Sequence, residues 1–508
     1  MISAFKGPRP QSRVAPAVLT ALFPGANDFP WPRLVAGLFW AAAGLWLASF
    51  LFMRSVPISG DEGFYFRGAK SLAAALTGRG SFEVAAQHLV EFGFLMPGVS
   101  IALLPLFIVS AEPDLALVRA YASIATFMLW LAVLREGHRT SGKWVSGALL
   151  IVPPLLFTWQ LFTATIWADA AAGLILALVF FRTFRLAIHI SERMPLSWSA
   201  ILALELLLVC LIYIRGNAAI IAVAINIFLF ALEIIYGGRI FSSITITRLF
   251  FGAAVVVVSI APWSLLASKV TRDVVYTTTT VPLSLGITFG DKDQETFCFG
   301  PCPSRNIWLG AMRYAPIYAE KNNVSELEAF RRMSSAALQN LTLSHYLKTV
   351  RGNFRTFLFE PSVFGARFVN TSSAQISKEA RRLLARLNKV ATDALYFPFL
   401  ASLILVNLMI ALRSDRDQIA SLIVKMFTVC IFLQPFVHPS HPRYWPSFAP
   451  LMSIAAGYTA RWAYQSVAQS RVGFSVFSMK TFPQSVLACI QIVYVIIFCG
   501  VAAIIISV

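Results

Sequence analysis

Apolar runs of about 17 to 25 residues recur along this 508-residue chain, each long enough to carry a helix through bilayer hydrocarbon. Eleven such runs fall near residues 33–53, 115–134, 144–160, 166–185, 197–214, 216–236, 248–268, 393–412, 419–437, 443–460 and 484–506. Backbone inside lipid must satisfy its own N–H and C=O groups, so the runs predict an all-α integral membrane protein, a polytopic helical bundle of about eleven spans. Charged residues make up only 13% of the chain against 57% apolar ones, where a soluble domain carries about 25% charge. Lys and Arg (42) exceed Asp and Glu (24), for a net charge of +18. The excess lies in short clusters between the apolar runs, which fits membrane orientation and headgroup contact and argues against nucleic acid as a partner.

Sidedness follows from those clusters. A basic leader with Lys6, Arg9, Arg13 and Arg33 precedes the first run and no small-residue cleavage site follows it, so a retained anchor is expected. The run Pro97–Val109 is too short to span and contains Pro105, so it reads as a half-helix at the interface. With it excluded, Arg135, Arg139, Lys143, Arg182, Arg185, Arg193, Arg239, Arg248, Arg413, Arg416, Arg461, Arg471 and Lys480 all fall on one face, the cytoplasmic one by the positive-inside rule. On the opposite face lie residues 54–114, the Arg215–Asn217 corner, a long segment 269–392 and the His438–Pro442 corner. The expected organisation is an N-terminal transmembrane module (1–268) whose first outer loop is 54–114, an exoplasmic helical region (269–392) and a C-terminal transmembrane module (393–508), with the outer loops forming a cap. A helical pattern runs from Glu326 to Leu358. Arg381, Arg382, Leu383, Leu384, Arg386, Leu387 and Lys389 form a basic amphipathic turn before a span, either riding on headgroups or simply solvated.

Candidate chemistry collects on the outer face. Directly after the first span come Asp61 and Glu62, in Ser59-Gly60-Asp61-Glu62-Gly63. Carboxylates at a membrane surface are costly unless hydrated or partnered. One of them could serve as a general base, or the pair could open a helix as N-terminal cap chemistry. Asp169, in Trp167-Ala168-Asp169-Ala170, reads on its own residues as a helix cap. A departing phosphate would need preorganised cations; Lys269, Arg272 and Arg443 are placed for that, and Arg215 less strongly, with headgroup snorkelling the alternative. His438 and His441 are three residues apart but lack further ligands, so no metal site is assigned. Cys298 and Cys302 are spaced for a local disulfide in an oxidising compartment, while the other four cysteines read as reduced packing residues in spans. Sequons begin at Asn323, Asn340 and Asn370.

The order of these landmarks resembles that of a family. Asp61-Glu62 after the first span, Met96-Pro97-Gly98 opening a half-helix, Arg119 heading the second span, Trp167-Ala168-Asp169-Ala170, Ala261-Pro262-Trp263, and His441-Pro442-Arg443-Tyr444 with Pro446 and Pro450 follow one another. The series resembles the GT-C superfamily of integral-membrane glycosyltransferases, in particular lipid A aminoarabinose transferases and protein O-mannosyltransferases. The resemblance covers the first 270 residues and the His-Pro-Arg-Tyr region, with little in 290–392. It implies a polyprenyl-phosphate-linked sugar as donor, a lipid, glycan or protein acceptor, inversion at the anomeric carbon, Asp61 as catalytic base with Glu62 as its partner, and Asp169 as a second acidic position. It also implies a multi-pass protein of the bacterial cytoplasmic membrane, N-terminus inside and active site periplasmic. The aminoarabinose transferases carry Glu-Lys before the Pro-Pro of the half-helix where this chain has Leu95-Met96 before Pro97-Gly98. A contact made by that pair is therefore not carried over; a divalent cation is possible, and no cofactor is specified. A transporter or lipid flippase is the alternative; it would need internal repeats and mid-depth polar residues, for which Glu205 and Glu233 are the main candidates. A non-enzymatic membrane assembly protein would need no acidic pair at Asp61.

Overall fold

A computed structural model describes residues 32–91, 95–237, 243–290, 307–371, 377–439, 443–470 and 481–507. Cys298, Cys302, His441, the leader residues Lys6, Arg9 and Arg13, and the loop cations Arg239, Arg471 and Lys480 lie outside them. The described residues form helices and no strand, and the protein is an all-α polytopic membrane protein.

In chain order the helices are α1 (Pro32–Met53), α2 (Asp61–Leu76), α3 (Phe82–Val90), α4 (Gly98–Val109), α5 (Leu115–Ser141), α6 (Lys143–Ile151), α7 (Phe157–Thr163), α8 (Ala168–Ser191), α9 (Trp198–Ile214), α10 (Ala219–Gly237) and α11 (Ser243–Thr271). Then follow α12 (Thr280–Phe289), α13 (Ile307–Asn322), α14 (Glu326–Gln339), α15 (Leu343–Phe359), α16 (Val363–Thr371), α17 (Lys378–Leu408), α18 (Asp415–Phe432), the single turn α19 (Gln434–Val437), α20 (Ala449–Ser470) and α21 (Phe482–Ser507). Among the described residues, eight helices are long and apolar enough to cross a membrane, those of α1, α5, α8, α10, α11, α17, α18 and α21.

The remaining three expected spans take other forms. Residues 144–160 are not one helix but two, α6 and α7, because Pro153 and Pro154 interrupt the apolar run and proline can neither donate an amide hydrogen bond nor fit behind a helical carbonyl. The run 197–214 is the 17-residue α9. The last, 443–460, begins as a helix only at Ala449, preceded by a short 3₁₀ turn, Trp445–Ser447, that contains Pro446. The pattern from Glu326 to Leu358 also divides: Asn340, Leu341 and Thr342 separate α14 from α15, and the Thr342 hydroxyl caps α15 by accepting from the His345 amide. By contrast, the basic stretch 381–389 is no separate element but the first half of the 31-residue α17.

Burial divides the spans sharply. Helix α8 is the axis of the bundle: 78% of its apolar window is buried, whereas 6% of that of α21 is. Small residues at the start of α8, Ala170, Ala172 and Gly173, let neighbours approach closely. A Cβ on Gly173 would lie 2.7 Å from the Pro446 carbonyl oxygen and 2.9 Å from that of Ser447, so only glycine permits the 3₁₀ turn to rest on α8 there. That contact brings Arg443 and Tyr444 to the head of α8.

Candidate active site

The chain end of α1, the start of α2, α5 and the turn before α8 meet at one buried knot. Glu62 and Arg119 both have fully buried side chains and pair at 2.7 Å. Arg119 Nε donates to the second Glu62 oxygen at 3.1 Å, completing a fork-on-fork pair. Its Nη1 also donates to the carbonyls of Met53 and Val56, each at 2.6 Å. The Glu62 carboxylate accepts further from the amides of Ile166 at 3.0 Å and Ser59 at 3.3 Å. A buried ion pair is tolerable only when its remaining donors and acceptors are satisfied, and this one ties four segments together in satisfying them.

One residue earlier the environment is different. Gly60 sits at a φ of +56°, and a Cβ there would touch the Trp167 ring at 3.0 Å, so the chain turns against that indole only because position 60 is glycine. Gly60 thereby occupies the helix cap and makes no side-chain cap bond. Asp61, first residue of α2, instead points its carboxylate at Arg443, whose Nη2 donates at 3.1 Å; the side chains are 20% and 22% exposed respectively. The Arg443 guanidinium lies 4.8 Å over the Trp167 ring and 5.1 Å over that of Tyr444. Arg215, at the corner after α9, lies 5.2 Å from the same Tyr444 ring and donates to Asp169 at 2.5 Å. Two guanidiniums thus lie against one aromatic ring, each paired with one carboxylate.

Electrostatics bind the group together. Burial, with the carboxylates of Asp61 and Asp169 beside it, pushes the Tyr65 hydroxyl far above its ordinary range, so it stays protonated. Burial opposes the charge on Arg443, but Asp61, Tyr444 and Asp169 more than offset this and raise its pKa. Two guanidiniums and two carboxylates are thus held together beside the Tyr65 hydroxyl.

Among the candidates named from sequence, Asp61, Asp169, Arg443 and Arg215 converge here, and Glu62 is the knot beneath them. Lys269 and Arg272 are exposed at the end of α11 and form no ion pair among the described residues. Arg272 takes a φ of +55°, and its neighbour Asp273 pairs with Arg331 at 2.9 Å. His438 stacks edge-on with Tyr444 at 5.5 Å. Among the described residues no three His, Cys, Asp or Glu side chains gather as a metal site; a divalent cation bound to Asp61 would first have to displace Arg443. Tyr65 and Tyr444 were missed as site residues, though their adjacency to charged positions at span ends is a usable signal. Compared with models of known protein families and with curated proteins, the chain matches none.

Proposed function

We propose that the protein is a membrane glycosyltransferase that moves a sugar from a polyprenyl-phosphate donor to an acceptor hydroxyl. The observation that carries this reading is the Asp61–Arg443 pair, half-open at the end of the first span and backed by the Arg215–Asp169 pair. A lipid-borne phosphate has its charge at the membrane surface, and these guanidiniums follow the ends of apolar runs, which supports the same height for both. In the proposed step Asp61 accepts the proton of the acceptor hydroxyl, the oxygen attacks the anomeric carbon from the face opposite the phosphate, and the carbon–oxygen bond to phosphate breaks. The electron pair leaves with the phosphate, whose growing charge meets Arg443 and Arg215, and the anomeric centre inverts.

The same reading places the protein in a bacterial cytoplasmic membrane with its N-terminus inside and this site on the periplasmic face, supported by the basic loops. With the six native cysteines replaced, Phe82→Cys should react in intact cells with a membrane-impermeant thiol reagent and Met194→Cys should not; both positions are exposed. The reverse pattern inverts the orientation. Transfer itself is tested by supplying lipid-linked sugar to purified parent and Asp61→Asn proteins; equal turnover by the two removes Asp61 from the chemistry.

A transport reading has one observation in its favour. Glu205, in the middle of α9, is buried with its Oε2 unpartnered, while its Oε1 lies beside Gly252 of α11. Glu205→Gln should leave sugar transfer intact; its loss with Asp61→Asn silent would favour transport.

A further inference from the structure

We infer that the Asp61–Arg443 ion pair is a resting contact that the donor phosphate replaces, so that the base is released only when the donor has arrived. The inference rests on the glycosyltransferase reading above and adds an order of events to it.

Three features of the site lead there. First, Asp61 is the one ionic partner of Arg443 among the described residues, reached through Nη2 alone. The rest of the guanidinium fork is not among the buried donors left without partners, and the side chain is 22% exposed, so its remaining N–H groups face the open side. A phosphate can therefore approach the fork before the pair opens. Second, the site is neutral as it stands: Asp61 and Asp169 against Arg443 and Arg215. An incoming phosphodiester adds a negative charge, and two anions on one guanidinium repel each other in a half-buried setting. Asp169 is held by Arg215 in a tighter, more buried pair, so Asp61 is the carboxylate that yields. Third, the Trp167 indole N–H, under the same guanidinium, is buried with no acceptor. A buried donor without a partner is costly, and a phosphate oxygen seated on Arg443 would supply one.

The exchange has a chemical consequence. While paired, the Asp61 carboxylate is held by Arg443; once phosphate holds the guanidinium, it is free to turn toward the acceptor hydroxyl. After transfer Asp61 carries the proton and is neutral, which leaves Arg443 to the phosphate product until the proton departs.

Direct binding tests this without relying on turnover. Undecaprenyl phosphate is titrated into the full-length protein in nanodiscs and bound lipid is measured. If the pair competes with phosphate, its removal lifts the occupancy of the binding-competent state, and Asp61→Asn should bind about tenfold more tightly than the parent. Asp61→Ser, a second uncharged substitution compatible with a helix start, should do likewise, which guards against a fold effect of either variant. Arg443→Ala should lose binding, and adding Asp61→Asn to it should restore nothing. Trp167→Phe, which keeps the ring and loses the N–H, should bind severalfold more weakly. Should Asp61→Asn and Asp61→Ser bind no better than a parent that does bind, the exchange is wrong and the donor reading stands. A parent with no affinity for undecaprenyl phosphate overturns the donor reading together with the exchange.

Discussion

Asp61 and Glu62 are adjacent carboxylates at the start of one helix, yet they occupy opposite kinds of environment. Successive helical residues project about 100° apart, which turns Glu62 inward onto Arg119 and Asp61 toward the open side and Arg443. Glu62 is fully buried, and its oxygens take up two guanidinium nitrogens and two backbone amides. Asp61 has one ionic partner among the described residues, itself part-exposed. The first carboxylate has no capacity left for a substrate, and the second is the one that the proposed exchange would release. In that proposal the saturated charge fixes the geometry in which the other one works.

This contrast can be broken experimentally. The largest effect should come from Asp61→Asn: turnover with lipid-linked sugar should fall about 10²- to 10⁴-fold, with the thermal unfolding midpoint in detergent close to the parent's. Arg119→Ala should do the opposite. It strands the Glu62 charge in the interior at a cost of about 3–5 kcal/mol, read as a lowered unfolding midpoint and reduced folded yield. If Arg119→Ala were stable and merely slow, Glu62 would belong with the exchangeable charges. Next in size, Arg215→Ala removes a charged hydrogen bond to Asp169, worth about 1.5–3 kcal/mol, and should lower kcat/KM by roughly one to two orders of magnitude. The smallest effects should come from Lys269→Ala and Arg272→Ala, exposed positions where substitutions usually stay within about 0.5 kcal/mol. A tenfold fall in donor use by either would bring the end of α11 into the site.

The sequence read helical spans better than it read which of their ends meet. Asp61, Asp169 and Arg443 were legible because each stands at the end of an apolar run, where charge has to be explained. Lys269 and Arg272 meet the same criterion, yet among the described residues they form no ion pair with the groups of the site. Nothing in the order of residues tells which charges at span ends will meet across the bundle. The pairs 61–443 and 169–215 are long-range, and the first depends on Gly173, which lets the Trp445–Ser447 turn lie on α8. The adjacency of Glu62 to Asp61 suggested a shared role; the Arg119 partner 57 residues away, which separates their roles, had no local signature. Among the helices, the unbroken apolar runs read correctly, and the errors fell where prolines or a capping Thr interrupt a pattern that hydropathy alone carries through.

Helix α17 gives the molecule a fixed scale. Its 31 residues amount to about 46 Å at 1.5 Å per residue, while bilayer hydrocarbon is about 30 Å thick, so even a tilted α17 projects well beyond the lipid. Along that rod Asn388 accepts from Thr158 of α7 at 2.9 Å, and Tyr396 packs edge-on against Trp445 at 5.2 Å, two residues from Arg443. One shaft thus indexes both the lipid plane and the Arg443 corner, like a gauge rod with two notches. Lengthening it by a single residue above Asn388 leaves both notches engaged, whereas the same insertion between Asn388 and Tyr396 rotates one against the other by about 100°. Tolerance to insertion should therefore change abruptly within those eight positions, marking where a spacer becomes a coupling.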